Sequence, residues 1–95
     1  MRRSKVFAIL PAYNAAKTLK GVLDSLPKGV FHSIIVSDDH SVDDTWVQAA
    51  KLRNITRIQT PKNLGYGGNV KYCLSAALAR GADVVVEIHP DGEYE

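Results

Sequence analysis

Apolar and polar positions alternate along the chain in blocks whose period changes from strand-like to helix-like and back. Residues 6–10 (VFAIL) are a continuous apolar run closed by Pro11, the pattern of a strand buried on both faces. Leu19, Val22, Leu23 and Leu26 follow at i, i+3, i+4 and i+7, predicting a helix with one buried face that stops at Pro27 and Gly29. Residues 34–37 (IIVS) predict a second strand. Ser41 with Asp44 three positions on has the form of a capping box, with Asp in place of Glu, for a helix that would bury Trp46, Ala49 and Ala50. Residues 55–59 carry Arg57 in their middle, which suits an edge strand better than a central one. The polar, glycine-rich residues 60–68 read as a loop. Val70, Cys73, Leu74, Ala77 and Leu78 then mark a third helix with Gly81 as its stop, and residues 84–88 (VVVEI) predict a last strand.

The order βαβαβαβ with short connections predicts one α/β domain over residues 1–95, a Rossmann-like, mostly parallel sheet with helices on its faces. Ligands of open α/β sheets bind beyond the carboxyl ends of the strands. The unusual polar residues of this chain gather there: Tyr13 and Asn14 after strand one, Asp38 to Ser41 after strand two, residues 61–68 after strand three, and His89 to Gly92 after strand four.

Composition narrows the class only slightly. Ninety-five residues with a hydrophobic fraction of 45% and a charged fraction of 23% are those of an ordinary globular domain. A formal net charge of +2 without a basic run argues against a nucleic-acid partner. The one cysteine, Cys73, has apolar neighbours at helical spacing and reads as a core residue in a reducing compartment. With no apolar stretch near the length of a membrane span, the expectation is a cytoplasmic domain.

Each rim segment suggests its own chemistry. The adjacent carboxylates Asp38 and Asp39 repel each other, and one directed at the sheet rim could accept hydrogen bonds from a nucleobase or ribose. Asp is also a common turn residue, so capping is the competing role. Asp43 and Asp44 fall where a helix dipole favours acids and read as structural. His40 stands where a positive φ is needed and His32 in a loop, so both read as turn residues. Gly65, Gly67 and Gly68 open a helix and would let backbone approach a ligand, yet they match neither the phosphate-loop nor the dinucleotide fingerprint. His89 and Asp91 are two apart and share a face of an extended segment. Together they could reach one divalent cation, Mg²⁺ or Mn²⁺, which would neutralise a diphosphate; a turn holding a satisfied His is the alternative. Glu87 reads as facing a neighbour or the sheet edge, Glu93 and Glu95 as solvated. The acidic pair follows the second strand and not the first, which argues against a phosphoacceptor receiver.

Taken in order, these segments resemble the family 2 inverting glycosyltransferases with the GT-A fold. Residues 6–14 (VFAILPAYN) are similar to the family's opening strand and its Pro-x-Tyr-Asn-like end. Residues 34–45 (IIVSDDHSVDDT) look like its V-D-D-x-S-x-D-x-T segment. Residues 63–78 match its Asn-x-Gly region at Asn63 and Gly65, and residues 82–94 (ADVVVEIHPDGEY) look like the strand bearing the metal-binding DXD motif. The resemblance implies that Pro11, Tyr13, Asp38, Asp39 and Gly65 line the nucleotide of a UDP- or GDP-linked sugar. It also implies that Asp91, with His89 in the first DXD position, binds Mg²⁺ or Mn²⁺. Ala15 stands where the family often has an acidic residue. The variant His-Pro-Asp-Gly-x-Tyr most resembles the branch near the polyprenyl-phosphate sugar transferases, which would put the full-length protein on a membrane surface. The family's catalytic base lies downstream of the DXD segment, so the chain reads as the donor-binding portion, inactive alone, with a bare sheet edge prone to self-association. A non-catalytic nucleotide-binding or assembly module is the alternative.

Overall fold

The computed structural model describes residues 4–90. Its elements are β1 (Val6–Ala12), α1 (Leu19–Asp24), β2 (Ser33–Asp38), α2 (Thr45–Ala50), β3 (Thr56–Gln59), α3 (Gly65–Ala79) and β4 (Val84–Glu87). The four strands form one sheet in the order β3-β2-β1-β4, and every pairing is parallel. The predicted α/β fold and its element order are borne out, including the edge position of β3. There Arg57 lies over the Trp46 ring, 3.7 Å from its centroid, and donates to the Trp46 carbonyl at 3.0 Å.

Alternation along β1 divides the interior in two. Ala8, Leu10 and Ala12 face α1 and α2 and pack with Ala15, Leu19, Val36 and Ala49. Phe7 and Ile9 face α3 and pack with Ile35, Cys73 and Ala77. Cys73 is fully buried, as its spacing predicts, and burial pushes its thiol up to about 12.

Several local expectations are corrected. The first strand does not stop at Pro11 but continues to Ala12. The reason is directional. Ala12 accepts the Asp39 N–H on the β2 side, whereas Ile9 accepts the Ile88 N–H on the β4 side. Pro11 shares the side of Ile9, and the β1–β4 ladder ends at the Ile9–Glu87 pair, so the missing N–H of Pro11 deprives no partner. Helix α1 ends at Asp24, short of Leu26. Ala50 is exposed, and Ser41 does not cap α2. Ser41 donates its N–H and its hydroxyl to Asp38 Oδ1, while Asp43 accepts the Thr45 N–H at 2.9 Å and its hydroxyl as well. Leu74 and Leu78 are exposed, so α3 buries a narrower face, built on Asn69, Cys73 and Ala77. It also begins inside the predicted loop, at Gly65.

Candidate functional site at the carboxyl ends of the strands

The segment after β1 turns at Asn14, which holds a φ of 53°. Its side-chain oxygen accepts the Val42 N–H at 2.9 Å, and its own N–H donates to Ser41 Oγ at 2.8 Å. Ala15 N–H donates to Thr45 Oγ1 at 2.8 Å. The loops after β1 and β2 are thus fastened by side chains from one to backbone of the other. Asp43 belongs to the same seam. Burial works against its charge, but hydrogen bonds from Thr45 and from the Ala16 N–H outweigh it and hold the carboxyl below its usual range. Pro11 is buried and Tyr13 half-buried at the mouth of this seam.

Asp38 and Asp39 are both almost wholly buried, 1% and 0% exposed, and each is held by donors from different elements. Asp38 Oδ2 accepts from Gln59 Nε2 at 3.0 Å, complementing the Ser41 bonds on Oδ1. Asp39 Oδ1 accepts the Thr60 hydroxyl at 2.8 Å and the Leu64 N–H at 2.7 Å. The second of these fixes the residue that precedes α3, so Asp39 orders the loop of the glycines as well as lining it. The two neighbouring carboxylates avoid mutual repulsion by pointing at separate donor sets. His40 adopts the positive φ predicted for it, 58°, and its Nε2 lies 2.6 Å from the Thr60 carbonyl oxygen. His32, the other loop histidine, stacks on Phe7. Asn63 donates to the Asp39 carbonyl at 2.9 Å.

Gly65 opens α3 with a φ of 77°, a left-handed conformation that side chains disfavour. At Gly68 the constraint is space: a Cβ there would stand 2.7 Å from the Leu64 Cβ. One turn further in, the buried Asn69 makes a reciprocal pair with β2, donating to the Ser37 carbonyl at 2.9 Å and accepting the Ser37 hydroxyl at 2.6 Å. Sequence reasoning did not single out Asn69. A polar residue in phase with Cys73 and Ala77 was the available signal.

The β4 side is built differently. Tyr66, in the first turn of α3, donates its hydroxyl to Glu87 Oε2 and stacks on His89 with ring centroids 5.6 Å apart and planes at 19°. His89 Nε2 lies 3.1 Å from Glu87 Oε2. The bond to Glu87 holds the Tyr66 phenol protonated above its ordinary range. Glu87 therefore does face a neighbour, and Tyr66 is a rim residue that sequence reasoning missed. The Thr18 hydroxyl donates to the Pro90 carbonyl, tying the first loop to the last. Asp91, Glu93 and Glu95 lie outside the described residues. Among the described residues no three metal-ligating side chains come together. Carboxylate oxygens suit Mg²⁺ or Mn²⁺, whereas imidazole favours softer transition metals, so His89 by itself is a poor donor for a hard cation.

A parallel sheet with helices on both faces and its buried acids and glycines gathered at one rim is a Rossmann-like α/β domain of the nucleotide-binding kind. The chain belongs to glycosyl transferase family 2, whose pattern it matches over residues 7–95. It is 30% identical to the UDP-N-acetylglucosamine–dolichyl-phosphate N-acetylglucosaminyltransferase of Methanococcus voltae, over 94% of this chain and 42% of that protein. Glucosyl-3-phosphoglycerate synthase from Mycobacterium tuberculosis, solved with Mn²⁺, UDP and glucosyl-3-phosphoglycerate, superposes with a TM-score of 0.78. It is 28% identical, over 93% of this chain and 34% of that one. S. aureus TarS (residues 1–349) in complex with UDP-GlcNAc gives a TM-score of 0.75 at 28% identity, over 92% of this chain and 26% of that one. The chain thus spans less than half the length of each of these relatives. No helix among the described residues is long and apolar enough to cross a membrane.

Proposed function

We propose that this chain supplies the donor half of a sugar transferase that moves a sugar from a nucleoside diphosphate to an acceptor with inversion. The observation that carries the reading is the convergence of Asp39, Gly65 and the His89 segment on one rim of a family 2 domain, supported by UDP-bound relatives of the same fold. Pro11, Tyr13, Asp38, Asp39 and Gly65 line the nucleoside in this reading. Asp39 builds the wall beneath the base through the Thr60 hydroxyl and the Leu64 N–H, and Asp38 holds the Asp39 segment in register through Ser41 and Gln59. His89 and Asp91 hold Mg²⁺ or Mn²⁺, which offsets charge on the diphosphate leaving group. The acceptor in this reading is a polyprenyl phosphate, supported by the dolichyl-phosphate relative, and it would place the whole protein at a membrane surface. Acceptor deprotonation falls to the remainder of the protein.

Calorimetry with UDP and Mn²⁺ tests the reading. Saturable binding that depends on the metal is the expected result. Undiminished binding by an Asp39→Ala, Asp91→Ala double variant would overturn it, and metal-independent binding would favour a non-catalytic nucleotide module.

The same reading assigns a second copy of the chain to the β4 edge. Val84 and Val86 share the face of Ala8 but are 46% and 40% exposed at the β4 edge, which no other described strand pairs, and Leu78 on α3, which covers the opposite face, is 57% exposed. Light scattering should show a concentration-dependent dimer that Val86→Lys disperses.

A further inference from the structure

The end of the sheet opposite the donor rim carries a groove in which the donor site has no part. It encloses about 910 Å³ between the loops that follow α1 and α2, where the chain enters β2 and β3. Strand β2 has six residues, so about 20 Å separates this groove from Asp38 and Asp39. The floor is apolar: Leu23, Phe31, Ile34, Leu52 and Ile55 pack on the core built around Leu10 and Leu19, yet each is only half-buried. The rim is cationic. Lys28, Lys51 and Arg53 are exposed there, and none of them pairs with an acid among the described residues. The one carboxylate of the lining, Asp24, is held by Lys20 at 2.6 Å. Lys28, Lys51 and Arg53 thus stand uncompensated on a chain whose whole formal net charge is +2.

The helix ends account for only part of this charge. Lys51 is the C-cap of α2 and complements its dipole, whose effect fades within the last turn. Lys28 and Arg53 stand in loops beyond α1 and α2, which end at Asp24 and Ala50. An occupant must therefore satisfy the cations and cover the floor together. A free anion or a nucleic-acid phosphate would meet the cations and leave the apolar floor in water. A bilayer surface is flat on this scale and does not reach half-buried side chains at the bottom of a concave site. A peptide segment bearing both carboxylates and apolar side chains meets both demands, with its apolar groups on the floor and its acids at the rim. We propose that this groove docks an acidic segment of a partner protein, anchored by apolar side chains. The distance to the donor rim lets partner and nucleotide occupy the chain together.

Fluorescence anisotropy on the 95-residue chain tests the proposal, with a short labelled peptide of repeated Glu-Glu-Leu as probe. Saturable binding is expected, and added salt should weaken it. Lys28→Glu combined with Arg53→Glu should weaken it roughly 10-fold or more, since each change turns an attraction into a repulsion. Lys28 and Arg53 are exposed, so the double variant should keep the urea midpoint and the UDP affinity of the parent. Amide shifts induced by the probe in ¹H–¹⁵N spectra should fall on residues 26–34 and 51–55. Equal binding of a peptide with Lys in place of Glu, or with Ser in place of Leu, overturns the proposal. So does a double variant that binds the probe like the parent. Phosphatidylserine–phosphatidylcholine vesicles that hold the parent but not the double variant would assign the groove to a membrane and overturn it. A loss of self-association in the double variant would assign it to a second copy, with the same result. Probe binding at the groove by a chain that fails to bind UDP would sink the donor-site reading and leave this proposal standing.

Discussion

The two sides of the rim meet at α3 and are held by opposite strategies. On the β2 side the polar groups are buried, and each is bonded to backbone or side chain of another element: Asp38 to Ser41 and Gln59, Asp39 to Thr60 and Leu64, Asn69 to Ser37. On the β4 side Tyr66, Glu87 and His89 bond mainly to one another at the surface, and His89 keeps 48% of its side chain exposed. Buried polar groups are costly unless satisfied, so the first set contributes to folding and cannot be rearranged cheaply. Exposed contacts of the second kind contribute little to stability and remain available to a ligand. The β2 side is therefore a preorganised wall and the β4 side an adaptable one, a division that suits a rigid nucleoside on one hand and a cation and diphosphate on the other.

The strongest challenge to this contrast is Asp39→Ala. It strands the Thr60 hydroxyl and the Leu64 N–H, and should cost about 3 kcal/mol by urea unfolding together with all measurable UDP affinity. A stable variant would show that the wall is not held as described. Next comes Asn69→Ala, which leaves the Ser37 carbonyl without its donor one turn inside α3. A loss of about 2 kcal/mol is expected, with UDP affinity weakened only through the shift of α3.

A pH profile tests the core under the helix that both sides share. The Cys73 thiol is held protonated when folded, raised from 9.0 to about 12, so its contribution is complete below the ordinary value and is lost as pH rises through that window. The difference in unfolding free energy between the parent chain and Cys73→Ala should shrink steadily above pH 9.0. Asp43 acts in the opposite sense. Its lowered pKa means the loop seam weakens only as pH falls below the ordinary carboxylate range. The smallest expected effect is on the β4 side: Tyr66→Phe and Glu87→Gln should leave the urea midpoint unchanged. A marked destabilisation by either would erase the distinction between wall and open side.

Most of the fold was legible in the residues. Runs such as residues 6–10 and 84–88 and the helical spacing of Val22, Leu23, Cys73 and Ala77 depend on local periodicity, which survives without tertiary information. The helix starts were less legible. Ser41 and Asp44 satisfy a local capping pattern, but Asp38 outcompetes it for Ser41, and Asp43 takes Thr45. Gly65 read as loop because three glycines lower helix propensity, and the Asp39 bond to Leu64 overrides that preference. In the site, Asp39, Gly65 and His89 were visible as strand-end residues, whereas Tyr66, Asn69 and Glu87 were not, since their significance lies in contacts 21 to 32 residues away.

The sequence by itself determined the order of strands and helices, the two-faced burial of β1 and the gathering of polar residues at one rim, because side-chain periodicity is a local property. Only the tertiary structure decided which carboxylates become walls and which remain open, and which face of α3 is covered. Those outcomes depend on which donor reaches an acceptor first across the sheet, and packing alone sets that distance.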